Sequence, residues 1–204
     1  MSLAKEVLER EAAEVVQAGV HISPLGFARV DVDALAAVPL ETACRVIGQI
    51  ASRIGGRGFR AHLQFEEQLV ELALARADTG GRTSGGCIFR PAGNSFLVLR
   101  EPARCAPNEP LEDSNRVWDH RFNYEVQGDT EGTDLHVGLL DEVGLAQIPK
   151  DYSGFSEVWR DAPREARLTT PGLWKGNVLL SAPLAPWTSA FSAPKLLVST
   201  VWSK

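Results

Sequence analysis

The chain has 204 residues, 44% hydrophobic and 23% charged, with a formal net charge of −5 from 21 basic and 26 acidic side chains. That length buries the core of one large domain or two small ones, and the acidic balance argues against a surface that is basic throughout, the usual mark of a nucleic-acid binder. No apolar run approaches the roughly 18 residues needed to cross a bilayer, so no membrane partner is expected; the scattered Cys44, Cys87 and Cys105 make no disulfide framework, and a reducing cytoplasm is the default expectation.

Leu3, Val7, Leu8, Ala12, Val15 and Val16 recur at helical spacing, with Glu6, Glu9 and Glu14 on other faces. This predicts a first helix over 3–18, stopped at Gly19, rather than a secretory leader. Val20, Ile22, Phe27, Val30 and Val32 surround Pro24 and Gly26, the pattern of a small hairpin or an extended excursion. Pro39 suits the first position of a second helix, whose apolar face runs through Leu40, Ala43, Cys44, Ile47, Ile50, Ala51 and Ile54 to Gly55-Gly56. A third helix is predicted over 60–77.

After Asp78 the character changes. Residues 87–90 and 95–100 read as two strands around a turn at 91–94. A polar, proline-bearing link follows at 106–115, then strand-like density over 116–126 and a loop over 127–134. The remainder mixes short apolar runs with turns and a short helix near 155–166. The fold class expected is α+β: a helical domain over 1–78, then a small, mostly β domain with short helices over 79–204.

The segment GGRTSGGC, residues 80–87, has the look of a phosphate loop. It lacks the lysine of a Walker A loop, and Ile88-Phe89-Arg90 favours a strand where a helix N-terminus is needed. Ser84-Gly85-Gly86 also matches the start of the Ser-Gly-Gly-x-Asp-Ser loop of ATP pyrophosphatases, but Cys87-Ile88-Phe89 supplies neither the aspartate nor the second serine. A bend leading into a strand is the better reading. The cysteines and His21, His62, His120 and His136 show no zinc-type spacing, so no metal is expected. A Cys87–His120 nucleophile pair has no local support.

The six basic residues of 79–127 are all arginines, namely Arg82, Arg90, Arg100, Arg104, Arg116 and Arg121. The planar guanidinium fork suits phosphate, so an anionic contact is expected there or in the cluster from Arg53 to Arg60.

An ordered set of motifs carries a family resemblance. Gly81, Thr83, Gly85, Gly86 and Cys87 are followed by Arg100-Glu101-Pro102, then by Trp118, Asp119, Arg121 and Phe122. This order resembles the bacterial tRNA(Ile)-lysidine synthetases, in particular their alphaproteobacterial branch. Residues 33–56 and 168–184 are similar to the segments that flank those motifs. Two positions depart from the pattern: Ser84 replaces a leucine, and Phe59-Arg60-Ala61-His62 stands where an aromatic, two prolines and an arginine are usual.

The resemblance implies the substrate-recognition part of a ligase that uses ATP to join lysine to the wobble cytidine of tRNA(Ile). It further implies that ATP and magnesium belong to an N-terminal catalytic domain not represented here, so this part needs no cofactor and is inactive alone. The expected partners are tRNA and that catalytic domain. Arg53, Arg57, Arg60, Arg82, Arg90 and Arg121 are the expected tRNA contacts, with shape supplying most of the specificity. The alternatives are a stand-alone protein-interaction module and a cysteine-dependent hydrolase using Cys87.

Overall fold

The computed structural model describes residues 3–56, 63–77, 80–111, 116–128, 130, 134–190 and 193–202. It is a mixed α and β protein of two compact units, one of residues 1–23 and 27–101, the other of 24–26 and 102–204. No described helix is long and apolar enough to cross a membrane.

The first unit runs α1 (Leu3–Gly19), β1 (Val20–Ile22), β2 (Ala28–Asp31), α2 (Val32–Ala36), α3 (Leu40–Gly55), α4 (Leu63–Leu74), β3 (Arg82–Ser84), β4 (Cys87–Ala92) and β5 (Ser95–Arg100). Its strands form an antiparallel sheet in the order β1-β2-β5-β4-β3. The division at Glu101/Pro102 corrects the boundary expected at residue 78, and the first unit is not purely helical. The reason is long-range pairing. β5 hydrogen-bonds along β2, matching Ala28 with Val98 and Val30 with Phe96, and so binds the later hairpin to the earlier one.

α3 is the helix around which this unit packs. Pro39 is its N-cap, one position earlier than expected, and ten of its residues are buried, among them Val46, Ile47, Ile50 and Ile54. Such a wide apolar face needs cover on more than one side, and α1, α4 and β5 all pack on it. The short α2 was not foreseen. Its start is set by Asp31, whose carboxylate accepts from the backbone N–H groups of Asp33 (2.7 Å) and Ala34 (3.3 Å), a cap that satisfies otherwise orphaned donors.

The second unit contains β6 (Glu109–Pro110), β7 (Arg116–Trp118), β8 (Phe122–Gln127), β9 (Leu135–Leu139), α5 (Asp141–Gln147), α6 (Glu157–Arg160), α7 (Arg164–Leu168), β10 (Pro171–Lys175), β11 (Val178–Ala182), β12 (Trp187–Thr188) and β13 (Lys195–Thr200). One sheet has the order β12-β11-β10-β9-β6 and the other β13-β8-β7. Their inner faces share a core of Trp118, Phe122, Tyr124, Leu135, Val137, Leu173 and Leu196, all at most 3% exposed. Trp118 and Phe122 stack at 6.3 Å between centroids, and the indole N–H donates to the Pro107 carbonyl.

Candidate functional site

The stretch 80–87 is a hairpin. Arg82–Ser84 pairs with the start of β4, and Ser84 faces Cys87 across a turn whose central residues are Gly85 and Gly86. Both have positive φ, 56° and 79°, the backbone of a type I′ turn. A strand follows, not a helix, so no row of free N–H groups converges there on a triphosphate, and these residues do not fit a nucleotide loop.

The motif residues around this turn are fastened to one another. Arg100 is 6% exposed, and its guanidinium donates to the carbonyls of Gly55 (2.7 Å) and Gly86 (3.3 Å), joining the end of α3 to the turn. The Glu101 N–H also donates to the Gly86 carbonyl. Cys87 is fully enclosed, and its thiol donates to the Ala51 carbonyl at 3.4 Å. A sulfur so enclosed is not presented to a substrate carbonyl, and the structure lends the hydrolase alternative no support.

Arg121 corrects the expectation of a surface contact. It is 0% exposed: Nε donates to Asp119 at 2.7 Å, and the terminal nitrogens donate to the carbonyls of Gly26 (3.1 Å) and Thr169 (2.7 Å). The guanidinium also lies 4.8 Å from the centre of the Phe122 ring. Asp119 uses its other oxygen to accept from the Ala106 N–H. A charge removed from water is tolerated only when partnered in this way, and such a group has nothing left for a phosphate.

Among the described residues, the remaining expected contacts Arg53, Arg82 and Arg90 do not converge. Arg57 and Arg60 lie outside the described residues. Arg53 is exposed on the last turn of α3, but the groove it lines also holds Glu9, Glu41 and Glu66. Arg82 is exposed and donates to Gln68 of α4. Arg82 pairs with Phe89, one residue before the half-buried Arg90, so strand alternation sends the two arginines to opposite faces of the sheet.

A different site appears in the second unit. A cleft of about 700 Å³ opens between α5, the segment 148–156, α6 and α7. Tyr152, Phe155 and Trp159 form an aromatic ladder: Tyr152 meets Phe155 edge-on at 5.3 Å, and Phe155 stacks over Trp159 at 6.1 Å. Trp159 is buried at the base, whereas the other two rings are half-exposed. The Tyr152 hydroxyl donates to the Pro186 carbonyl at 2.8 Å, which fixes its ring. Gly154 packs so closely that a Cβ there would stand 2.5 Å from the ring carbon bearing that hydroxyl.

Four cations, Lys150, Arg160, Arg164 and Arg167, line the same cleft against two carboxylates, Glu142 and Asp151. Glu142 grips Arg164 through both oxygens, and this contact raises the guanidinium pKa above its ordinary value. Lys150 and Arg160 make no ion pair within the described residues. Arg167 has its Nε buried without an acceptor. Leaving such a donor orphaned costs about 1–3 kcal/mol. In a chain of net charge −5, this is a local basic surplus.

Sequence reasoning passed over this site. Its signal was the interleaving of basic and aromatic residues at Lys150, Tyr152, Phe155, Trp159 and Arg160, in a segment read only as containing a short helix. Comparison with protein-family models finds none that matches the chain, and comparison with curated proteins finds no significant match.

Proposed function

We propose that this chain is an RNA-positioning module, the tRNA-recognition part of a tRNA(Ile)-lysidine synthetase. The observation that carries the reading is the cleft of the second unit, where Lys150 and Arg160, without an ion pair among the described residues, flank half-exposed aromatic rings. Cations supply the phosphate attraction that dominates RNA affinity, and aromatic faces accept unstacked bases. The ordered motifs from Gly81 to Phe122 supply the family resemblance. Their arginines at 100 and 121 serve the scaffold, a division of labour in which rigid elements hold the binding face in place.

In this reading the chain contributes position and not bond-making. Activation of the cytidine by ATP and attack by the lysine amine fall to a domain bearing a Ser-Gly-Gly-x-Asp-Ser loop, which these 204 residues do not contain.

The test is a filter-binding titration of unmodified tRNA(Ile) at 50 and 200 mM salt. Binding at low salt that weakens steeply at the higher concentration is expected. Equal affinity for an acidic polypeptide, or no binding at 50 mM salt, overturns the reading.

A further inference from the structure

We infer that the cleft between α5 and α7 is a mononucleotide site, taking a base against Tyr152 and Phe155 and its phosphate against Arg160 and Arg167. This deepens the reading above and rests on it only for RNA as a source of the nucleotide.

Four features of the cleft lead to one ligand chemistry. Its volume, about 700 Å³, lies within the range of small-molecule pockets and leaves room for a nucleoside monophosphate. The Tyr152 ring is held by Pro186 through its hydroxyl, and Gly154 packs close to the ring carbon that bears it, so the ring is fixed before a ligand arrives and little rotamer freedom is lost on binding. Arg164 is already engaged by Glu142. That leaves Lys150 and Arg160, which make no ion pair among the described residues, and the half-buried Arg167, which lines the cleft beside them. A phosphate supplies several acceptors at once and matches a guanidinium fork better than any single carbonyl. An apolar ligand would leave the cations unanswered, and inorganic phosphate would leave the rings uncovered. A planar heterocycle joined to a phosphate answers both.

The same chemistry has two sources, a free mononucleotide and an unstacked nucleotide of an RNA strand. Aromatic platforms bind bases with little regard to sequence, so the site is expected to tolerate several bases.

The decisive experiment is calorimetric titration of the 204-residue chain with the four nucleoside monophosphates, with adenosine, ribose 5-phosphate and inorganic phosphate as controls. At least one monophosphate is expected to bind tenfold or more tightly than every control. Phe155→Ala and Arg160→Ala are each expected to weaken it tenfold or more, both with a folded circular dichroism spectrum and Arg160→Ala with an unchanged melting temperature. A single-stranded ribohexamer that displaces the mononucleotide assigns the source to RNA; a hexamer that leaves it in place assigns the source to the free nucleotide.

Monophosphate binding no tighter than inorganic phosphate overturns the inference, as does binding that survives both substitutions. If tRNA binds in the filter assay but mononucleotides do not bind the cleft, the inference fails and the RNA-positioning reading stands. If mononucleotides bind and tRNA does not, the reading fails and the pocket stands.

Discussion

The guanidinium of Arg121 donates to the carbonyl of Thr169 at 2.7 Å, and Thr169 sits two residues beyond Arg167 on the wall of the cleft. Thr169 and Thr170 close the end of α7 with hydroxyl bonds to the Ala166 and Arg167 carbonyls. A buried arginine on the turn between β7 and β8 is therefore tied directly to the end of the helix that presents two of the cleft's cations, Arg164 and Arg167.

Arg121→Ala should cost about 3–5 kcal/mol, because it strands the Asp119 carboxylate in the interior and removes donors from the Gly26 and Thr169 carbonyls. Arg121→Lys recovers little of this, since an ammonium cannot span three partners set in different directions. Urea denaturation measures the loss. A change below about 1 kcal/mol for Arg121→Ala would show that the buried pair is not a stabilising tie.

Gly86 has φ of 79°, so Gly86→Ala should destabilise the first unit by about 1–2 kcal/mol through left-handed strain alone. Gly55→Ala acts through space. Its Cβ would run into the Gly85 carbonyl and lie 2.9 Å from the Cys87 sulfur, an overpacking expected to cost about 1–3 kcal/mol. Thermal melts of both variants provide the check. Ser84→Leu is expected to leave stability within about 0.5 kcal/mol and nucleotide binding unaltered, as befits a half-buried residue at the end of β3 beside the turn.

Salt dependence separates cleft cations from bystanders. Each phosphate-contacting cation contributes about 0.7–0.9 to the slope of log affinity against log salt. The double change Lys150→Ala with Arg160→Ala should lower the tRNA slope by about 1.5, whereas Arg90→Ala should leave it unchanged. Equal slopes for the double variant and the parent would move the RNA contact elsewhere.

Cys44 supplies a pH prediction. Burial, reinforced by the carboxylates of Glu66, Glu67 and Glu41, pushes its thiol up to about 11. The folded state thus holds this proton more tightly than the unfolded chain does. The stabilisation is complete below the unfolded thiol's pKa near 9.0 and is lost as pH rises through about 11. Urea midpoints should fall across that window, and Cys44→Ala should flatten the fall. With native protein at pH 8, Ellman's reagent should reach neither Cys44 nor Cys87, which are both buried.

The residues alone determined the local pieces. Three- and four-residue spacing marked α1 and α3, and the turn at Gly93-Asn94 with its flanking β-formers marked the β4–β5 hairpin, because these signals depend on neighbours in the chain. They also excluded a phosphate loop at Ser84, since a strand-forming run follows it. Only the tertiary structure decided the rest. That β5 pairs with β2, carrying the hairpin into the first unit, depends on strands that begin 67 residues apart in the chain. That Arg121 is a core residue depends on carbonyls at positions 26 and 169, which no pattern around residue 121 encodes. Spacing is a property of the chain, whereas burial and charge pairing belong to surfaces that exist only once distant segments meet. The cleft of Tyr152, Phe155 and Arg160 arises where α5 and α7 close around residues 148–160.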